Sequence, residues 1–399
     1  MLLKKIVKGA ILGLASLLVA LGIYEGILRL FFEPPQLIDI KSSQSPVSNA
    51  MSSKREQIRL VLTTETGRRL RPNTRVTVHH HSVSKRNIVV ETNSIGYRNR
   101  ELGEKRGKRI LFLGDSITLA DYVGEEETFV RIAERMLKNI GHPVETINAG
   151  VGGEGLETYF HILKETGLAT RPDVVIVNLY LNDFQSSRTI PWFYPPEFLR
   201  GTWAANYLYQ AVSVKYAKLT RTKEDWDDNM RRVPEAELMQ WRKTVQCCFV
   251  DLEPASKEGA SFQQNVLGSV HDWGGAWSTG SWRRMSEILG TMKRTLDQAG
   301  IRMLVVVFPV SYQVAEATLY DFPQRQVKQI GKNFGFPVLD VLPLLRGHRN
   351  QSPEELFYDH CHYTPLGNQL IAAYITDEII RLGLISSKKH PTTSISVEK

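Results

Sequence analysis

The sequence predicts an α/β domain built on a parallel sheet with helices on its faces, and three observations carry that expectation. From Arg109 onward, apolar runs of strand length alternate with amphipathic helical stretches. The chain has 399 residues, 42% hydrophobic and 23% charged, enough for one large core with additions. Its three cysteines, Cys247, Cys248 and Cys361, contain no Cys-x-x-Cys pair, so neither a disulfide framework nor a zinc finger organises the fold.

The first element is a membrane anchor expected over residues 1–33. Gly9 to Tyr24 is an uncharged run of sixteen, preceded by Lys4, Lys5 and Lys8. A helix from Ile6 to Tyr24 spans roughly 28 Å, enough for a bilayer core if Lys8 snorkels. Apolar sequence continues through Ile27, Leu28, Leu30 and Phe31, past the small residues around Ala20, which favours a retained anchor over a cleaved signal peptide. Lysines before the run place the amino terminus in the cytoplasm and the rest of the chain in the periplasm or outside the cell. A linker and small β-containing lead-in follow over 34–108. Its first part, to residue 60, begins with Pro34-Pro35 and is rich in Ser, Gln and Lys; two β-like pieces, Thr74 to Val78 and Asn87 to Thr92, come later. His79, His80 and His81 are consecutive, so in a strand they alternate faces and read as solvated surface.

The main domain is expected over 109–385. Ile110 to Leu113 is a strand, and Phe129, Ile132, Ala133, Met136, Leu137 and Ile140 share a helical face stopped by Gly141. Val144 to Ile147 and Val174 to Leu179 are buried strands. A helix from Trp282, capped by Ser281 and stopped at Gly300, leads into a strand over Ile301 to Phe308. A helix over 323–334, a strand over Val338 to Leu342 and a helix over Pro365 to Leu382 complete the alternation. An insertion at about 185–280 holds six of the seven tryptophans: Trp192, Trp203, Trp226, Trp241, Trp273 and Trp277. Its place between strand and helix puts it beside a site at the carboxyl edge of the sheet, where an aromatic could meet substrate or merely anchor the segment. Residues 386–399 are polar and expected to be a disordered tail.

Chemistry-bearing residues gather at the strand ends. Gly114-Asp115-Ser116 follows the first strand, and a loop with Asn148, Gly150, Gly152 and Gly153 follows the second. Asn182-Asp183 follows the third, and Asp359-His360-Cys361-His362 precedes the last helix. Each alone is ordinary. Together and in this order they resemble the four blocks of the SGNH (GDSL-like) hydrolase family, over about residues 109–383. The resemblance implies a flavodoxin-like three-layer α/β/α domain and serine esterase chemistry without cofactor or metal. By position, Ser116 corresponds to the nucleophile, His362 to the general base and Asp359 to the residue orienting it. The oxyanion hole would comprise the backbone N–H groups of Ser116 and Gly153 and the side-chain amide of Asn182. Gly153 is selected because it lies five residues after Asn148. His360 lacks the Asp-x-x-His spacing, Cys361 reads as a small buried residue, and Asp115 and Asp183 as structural. Two positions depart from the pattern: Tyr180 stands two residues before Asn182 where glycine is usual, and Ala120 stands where glycine is common.

The resemblance implies an ester-bearing small molecule, lipid or polysaccharide as substrate. Three readings follow: an esterase acting on O-acyl groups of envelope glycan or lipid, an O-acyltransferase modifying exported polysaccharide, and a non-catalytic glycan-binding protein. The net charge of +8 raises a nucleic-acid reading. It fails on location: residues 1–108 hold 19 Lys and Arg against 8 Asp and Glu, while the remainder holds 31 against 34. The basic excess belongs to the anchor and lead-in, not to the domain carrying Ser116.

Overall fold

A computed structural model describes residues 2–31, 60–64, 66–183, 199, 202–220, 250–252, 257–269, 272–348 and 353–386. The expected linker up to residue 59, the tail beyond 386, and Trp192, Trp226 and Trp241 lie outside the described residues.

The chain opens with helix α1 (Leu2–Phe31). Among the described residues no helix is long and apolar enough to cross a membrane, so the membrane anchor expected over residues 1–33 finds no support in α1. The lead-in forms two antiparallel hairpins, β1 (Val61–Thr64) with β2 (Gly67–Leu70), and β3 (Arg75–Val78) with β4 (Ile88–Glu91). The second hairpin fits the β-like pieces expected there; the first was not expected. Val76, Val78, Ile88 and Val90 give the β3–β4 pair a small core of its own with Leu60.

The main sheet has five parallel strands: β5 (Lys108–Gly114), β6 (Val144–Gly150), β7 (Val174–Leu179), β8 (Arg302–Val307) and β9 (Val338–Asp340). Their order is β6-β5-β7-β8-β9, a doubly wound sheet that reverses direction at β5 and β7. Strand β7 is buried along its whole length, which is why it reads as Val-Val-Ile-Val-Asn-Leu rather than alternating. Helix α2 (Ser116–Leu119) follows β5, and α3 (Phe129–Asn139) leads into β6. Helix α4 (Leu156–Ile162) follows β6, and α5 (Trp203–Thr220) and α6 (Lys257–Gly268) belong to the insertion. Helices α7 (Trp282–Gln298), α8 (Phe322–Phe334) and α9 (Pro365–Arg381) complete the layers. Helix α3 packs on α9, and α7 packs on both α4 and α8, the grouping expected of helices on the two faces of a parallel sheet.

Local expectations differ in three places. Ile140 ends its helix 58% exposed rather than on the buried face. Ser281 does not cap α7; its hydroxyl donates to the Gly275 carbonyl at 2.8 Å, while the Trp282 indole N–H donates to Ala276 at 3.0 Å. His79 and His80 are exposed, but His81 is buried, its Nε2 3.6 Å from Asp121 Oδ1.

The insertion is tied in by aromatic packing. Phe262 of α6 stacks on Tyr320 with centroids 4.2 Å apart, and Trp277 meets Phe262 edge-on at 5.4 Å. Trp273 packs against Tyr312 at 5.5 Å. Trp273 and Trp277 are fully enclosed, so they anchor the segment and neither offers a ring to a ligand.

Candidate active site

Two of the polar loops lie at the carboxyl ends of β5 and β7, where the sheet changes direction. At the end of β5, the Asp115 carboxylate accepts the Ile117 N–H at 2.9 Å and so starts helix α2 with Ser116 as its first residue. Ala120 ends the helix at a left-handed φ of 52°. That conformation is costly for a residue with a Cβ. The buried Arg98 guanidinium holds it there, donating to Leu119 O and Val123 O at 2.8 Å each and to Ala120 O at 2.5 Å.

The neighbouring strand ends are bound to the same turn. Asn148 Nδ2 donates to Thr118 O at 2.8 Å, and Asn178 Nδ2 donates to Thr118 Oγ1 at 3.0 Å. Gly150 lies so close to Leu119 N that a Cβ could not be placed. The loop beyond it runs beside the serine: a Cβ on Gly152 would stand 3.8 Å from Ser116 Cβ.

The loop before α9 is shaped by its own hydrogen bonds. Thr364 caps α9 by accepting the Gly367 N–H, and Pro365 follows at its first turn. Asn368 accepts Phe129 N–H at 3.0 Å and donates to Tyr363 O at 2.9 Å, fixing α9 against α3. Within the loop, Asp359 Oδ1 accepts the N–H groups of Cys361 (2.9 Å) and His362 (2.8 Å).

These supports bring Ser116, His362 and Asp359 together. His362 Nδ1 is 2.7 Å from Asp359 Oδ2, and His362 Nε2 is 3.0 Å from Ser116 Oγ. With Nδ1–H donating to the carboxylate, Nε2 is left to accept the serine proton. Burial works against the imidazolium, but the Asp359 hydrogen bond and charge, helped by Asp115 and Asp121, outweigh it and raise the His362 pKa. Burial likewise opposes ionisation of Asp359, yet His362 and two backbone N–H groups hold its pKa well below the ordinary value. The ring of Tyr122 meets His362 edge-on, with centroids 4.8 Å apart.

The remaining predicted residues take quieter positions. Asn182 is half-buried, and its side-chain oxygen is buried without a hydrogen-bond partner. Gly153 has a φ of +69°, open to glycine and strained for other residues. Asp183 is buried, accepting Tyr180 N–H at 2.9 Å and bonded to the Tyr159 hydroxyl at 2.8 Å. Burial raises its pKa well above the ordinary value, with the Asp115 charge adding to the rise. Asp115 is likewise pushed up by burial, to about 6.

Cys361 is buried, its Sγ 3.5 Å from His362 Nδ1. Burial and the charges of Asp359, Asp115 and Asp272 raise the thiol pKa well above its ordinary value, which disfavours the thiolate a nucleophile would need. Asp359, Cys361 and His362 lie close enough to suggest a metal cluster. Asp359 and His362 are already engaged with each other, and His362 with Ser116.

Sequence reasoning missed Thr118, Tyr122, Tyr159, Arg68, Arg98 and Glu154. Thr118 and Tyr122 lie within six residues of Ser116 and could have been sought there. Arg68 and Arg98 carry no local signal, because their partners lie far along the chain.

A family model described as the GDSL-like Lipase/Acylhydrolase family matches residues 112–370. No curated protein matches the chain. Among solved structures, an acetylxylan esterase from Geobacillus stearothermophilus is similar at 15% identity and a TM-score of 0.39, with 68% of this chain and 94% of that one covered. A lipase/acylhydrolase from Enterococcus faecalis is similar at 16% identity and a TM-score of 0.36, with 68% and 95% covered.

Proposed function

The chain belongs to the GDSL-like lipase/acylhydrolase family and is an ester-hydrolysing enzyme, and from that premise we propose that it is a membrane-anchored serine esterase removing O-acyl groups from envelope glycan or lipid. The observation that carries the chemistry is the continuous hydrogen-bonded row Ser116 Oγ, His362 Nε2, His362 Nδ1, Asp359 Oδ2.

Ser116 Oγ attacks the ester carbonyl carbon as its proton passes to His362 Nε2. Asp359 holds the ring in the required tautomer and stabilises the imidazolium that forms. The tetrahedral oxyanion is received by the N–H groups of Ser116 and Gly153 and the amide of Asn182. Collapse expels the alcohol, which takes the proton from His362 and leaves an acyl group on Ser116. A water, deprotonated by His362, then attacks the acyl carbon, and the carboxylic acid leaves as Ser116 recovers its proton.

The site lies downstream of an amino-terminal helix whose uncharged run, Gly9 to Tyr24, follows three lysines. The anchor, with a cytoplasmic amino terminus and the catalytic domain in the periplasm or outside the cell, rests on that sequence pattern and not on the described helix, which is not long and apolar enough to cross a membrane. The basic lead-in suits a position near anionic headgroups.

The reading is tested with a chromogenic acetyl ester and a fluorophosphonate probe on the full-length protein. Turnover and labelling that are both abolished in Ser116→Ala support it; a folded protein showing neither refutes it. Adding an oligosaccharide acceptor separates hydrolysis from transfer, because acylated sugar in place of free acid would assign an acyltransferase.

A further inference from the structure

The first lead-in hairpin lies upstream of the segment matching the family, yet it reaches the glycine loop beside Ser116. Arg68 of β2 donates from Nη2 to the Gly153 carbonyl at 2.7 Å and from Nε to Glu154 Oε1 at 2.6 Å. The Glu154 side chain is only 1% exposed, and its other oxygen accepts the Thr158 hydroxyl at 2.6 Å. The guanidinium therefore has a fixed partner, and it fixes the Gly153 carbonyl in turn.

Glycine loses more conformational freedom on ordering than any other residue, and Gly153 sits at a φ of +69° that only such freedom makes easy. An oxyanion donor stabilises a transition state only if its direction is set before charge develops. The loop is held at its start by Val151 N–H donating to Gly114 O at 2.9 Å. Arg68 holds the far side, at the Gly153–Glu154 peptide.

We propose that Arg68 is a positioning residue for the esterase reaction, aligning the Gly153 N–H toward the oxyanion by clamping the Gly153 carbonyl. The proposal rests on the serine-esterase reading above. It makes the lead-in a working part of the catalytic centre rather than a spacer between anchor and enzyme.

Arg69 supplies the control. It anchors the same hairpin through Glu165 at 2.8 Å, with no bond to the glycine loop. The test measures kcat, KM and the affinity of an arylboronic acid, which forms a tetrahedral adduct on serine, in the wild type, Arg68→Ala, Arg68→Lys and Arg69→Ala. The proposal expects Arg68→Ala to lower kcat by about 10- to 100-fold with KM little changed, below the ~10²–10³ seen when a donor is removed outright. Boronate affinity should fall by the same factor, while the acid limb of the pH profile, set by His362, stays in place. Arg68→Lys should fall between, and Arg69→Ala should keep kcat even if its melting temperature drops. Unchanged kcat and boronate affinity in Arg68→Ala, or losses that Arg69→Ala reproduces, overturn the positioning role while the enzyme reading stands. A wild type that neither turns over ester nor binds boronate overturns both.

Discussion

The Tyr122 ring meets the His362 imidazole edge to face with centroids 4.8 Å apart, and it meets the Tyr358 ring in the same manner at 6.2 Å. The histidine is therefore steered by edge-to-face aromatic packing as well as by Asp359. Tyr122→Phe keeps the ring and should hold kcat within about twofold. Tyr122→Ala opens a void beside His362 and should cost ~3–5 kcal/mol of stability, read by urea unfolding. Its kcat should fall by at least about tenfold, since small misplacements of a catalytic group are expensive.

Asp359 sets both the direction and the charge of His362. Replacement by Asn should lower kcat by about 10⁴-fold, because the ring loses its tautomeric preference and its counter-charge. The base must be neutral to accept the serine proton, and its pKa lies above the ordinary 6.5. The acid limb of kcat/KM in the wild type should accordingly lie above pH 6.5. In Asp359→Asn it should move toward acid, since a neighbour that favoured the imidazolium is gone. A limb that stays in place would detach His362 from the profile.

Asn182→Ala removes one proposed oxyanion donor without touching the Ser116–His362 pair. Turnover should drop by about 100-fold or more, with KM nearly unchanged. A change confined to KM in steady-state kinetics would assign Asn182 to ground-state substrate binding.

Asp183 predicts a pH dependence of stability. Its folded pKa is raised, so its contribution is fully present below the unfolded value and is lost as pH rises through the folded value. Asn cannot ionise, and it can accept Tyr180 N–H while donating to Tyr159. Asp183→Asn should therefore melt increasingly above the wild type as pH rises from about 5 to 8, and differential scanning calorimetry reads the trend. A gap that is constant with pH would show that Asp183 is ionised in the folded protein across this range, as it is in the unfolded chain.

Arg98 predicts a structural loss remote from the family blocks. Replacement by Ala leaves the carbonyls of Leu119, Ala120 and Val123 buried without this donor, at ~1–3 kcal/mol for each. The expected result is a strong fall in Tm with loss of labelling at Ser116.

How much of this was legible in sequence depended on how local each signal was. The five sheet strands and the helices from 322 and 365 follow from runs and periodicities a few residues long. Ser116, Asp359 and His362 were found through blocks that each fit in one loop. The β1–β2 hairpin was not, because Gly-Arg-Arg-Leu looks like surface; its arginines instead face Glu154 and Glu165 on the main domain. His81 reads as exposed in the sequence because its partner, Asp121, lies outside the lead-in, in the main domain. Tryptophan richness drew attention to substrate contact, but Trp273 and Trp277 are consumed in packing the insertion.

The separation of Ser116 from His362 by 246 residues also governs when the chain can react during its own synthesis. The serine is made early and its base arrives with the loop before the last helix. A growing chain thus carries a bare, unactivated hydroxyl through most of elongation, because serine alone is a weak nucleophile. The Ser116–His362 pair can therefore form only as α9 docks against α3, after nearly the whole chain has been made.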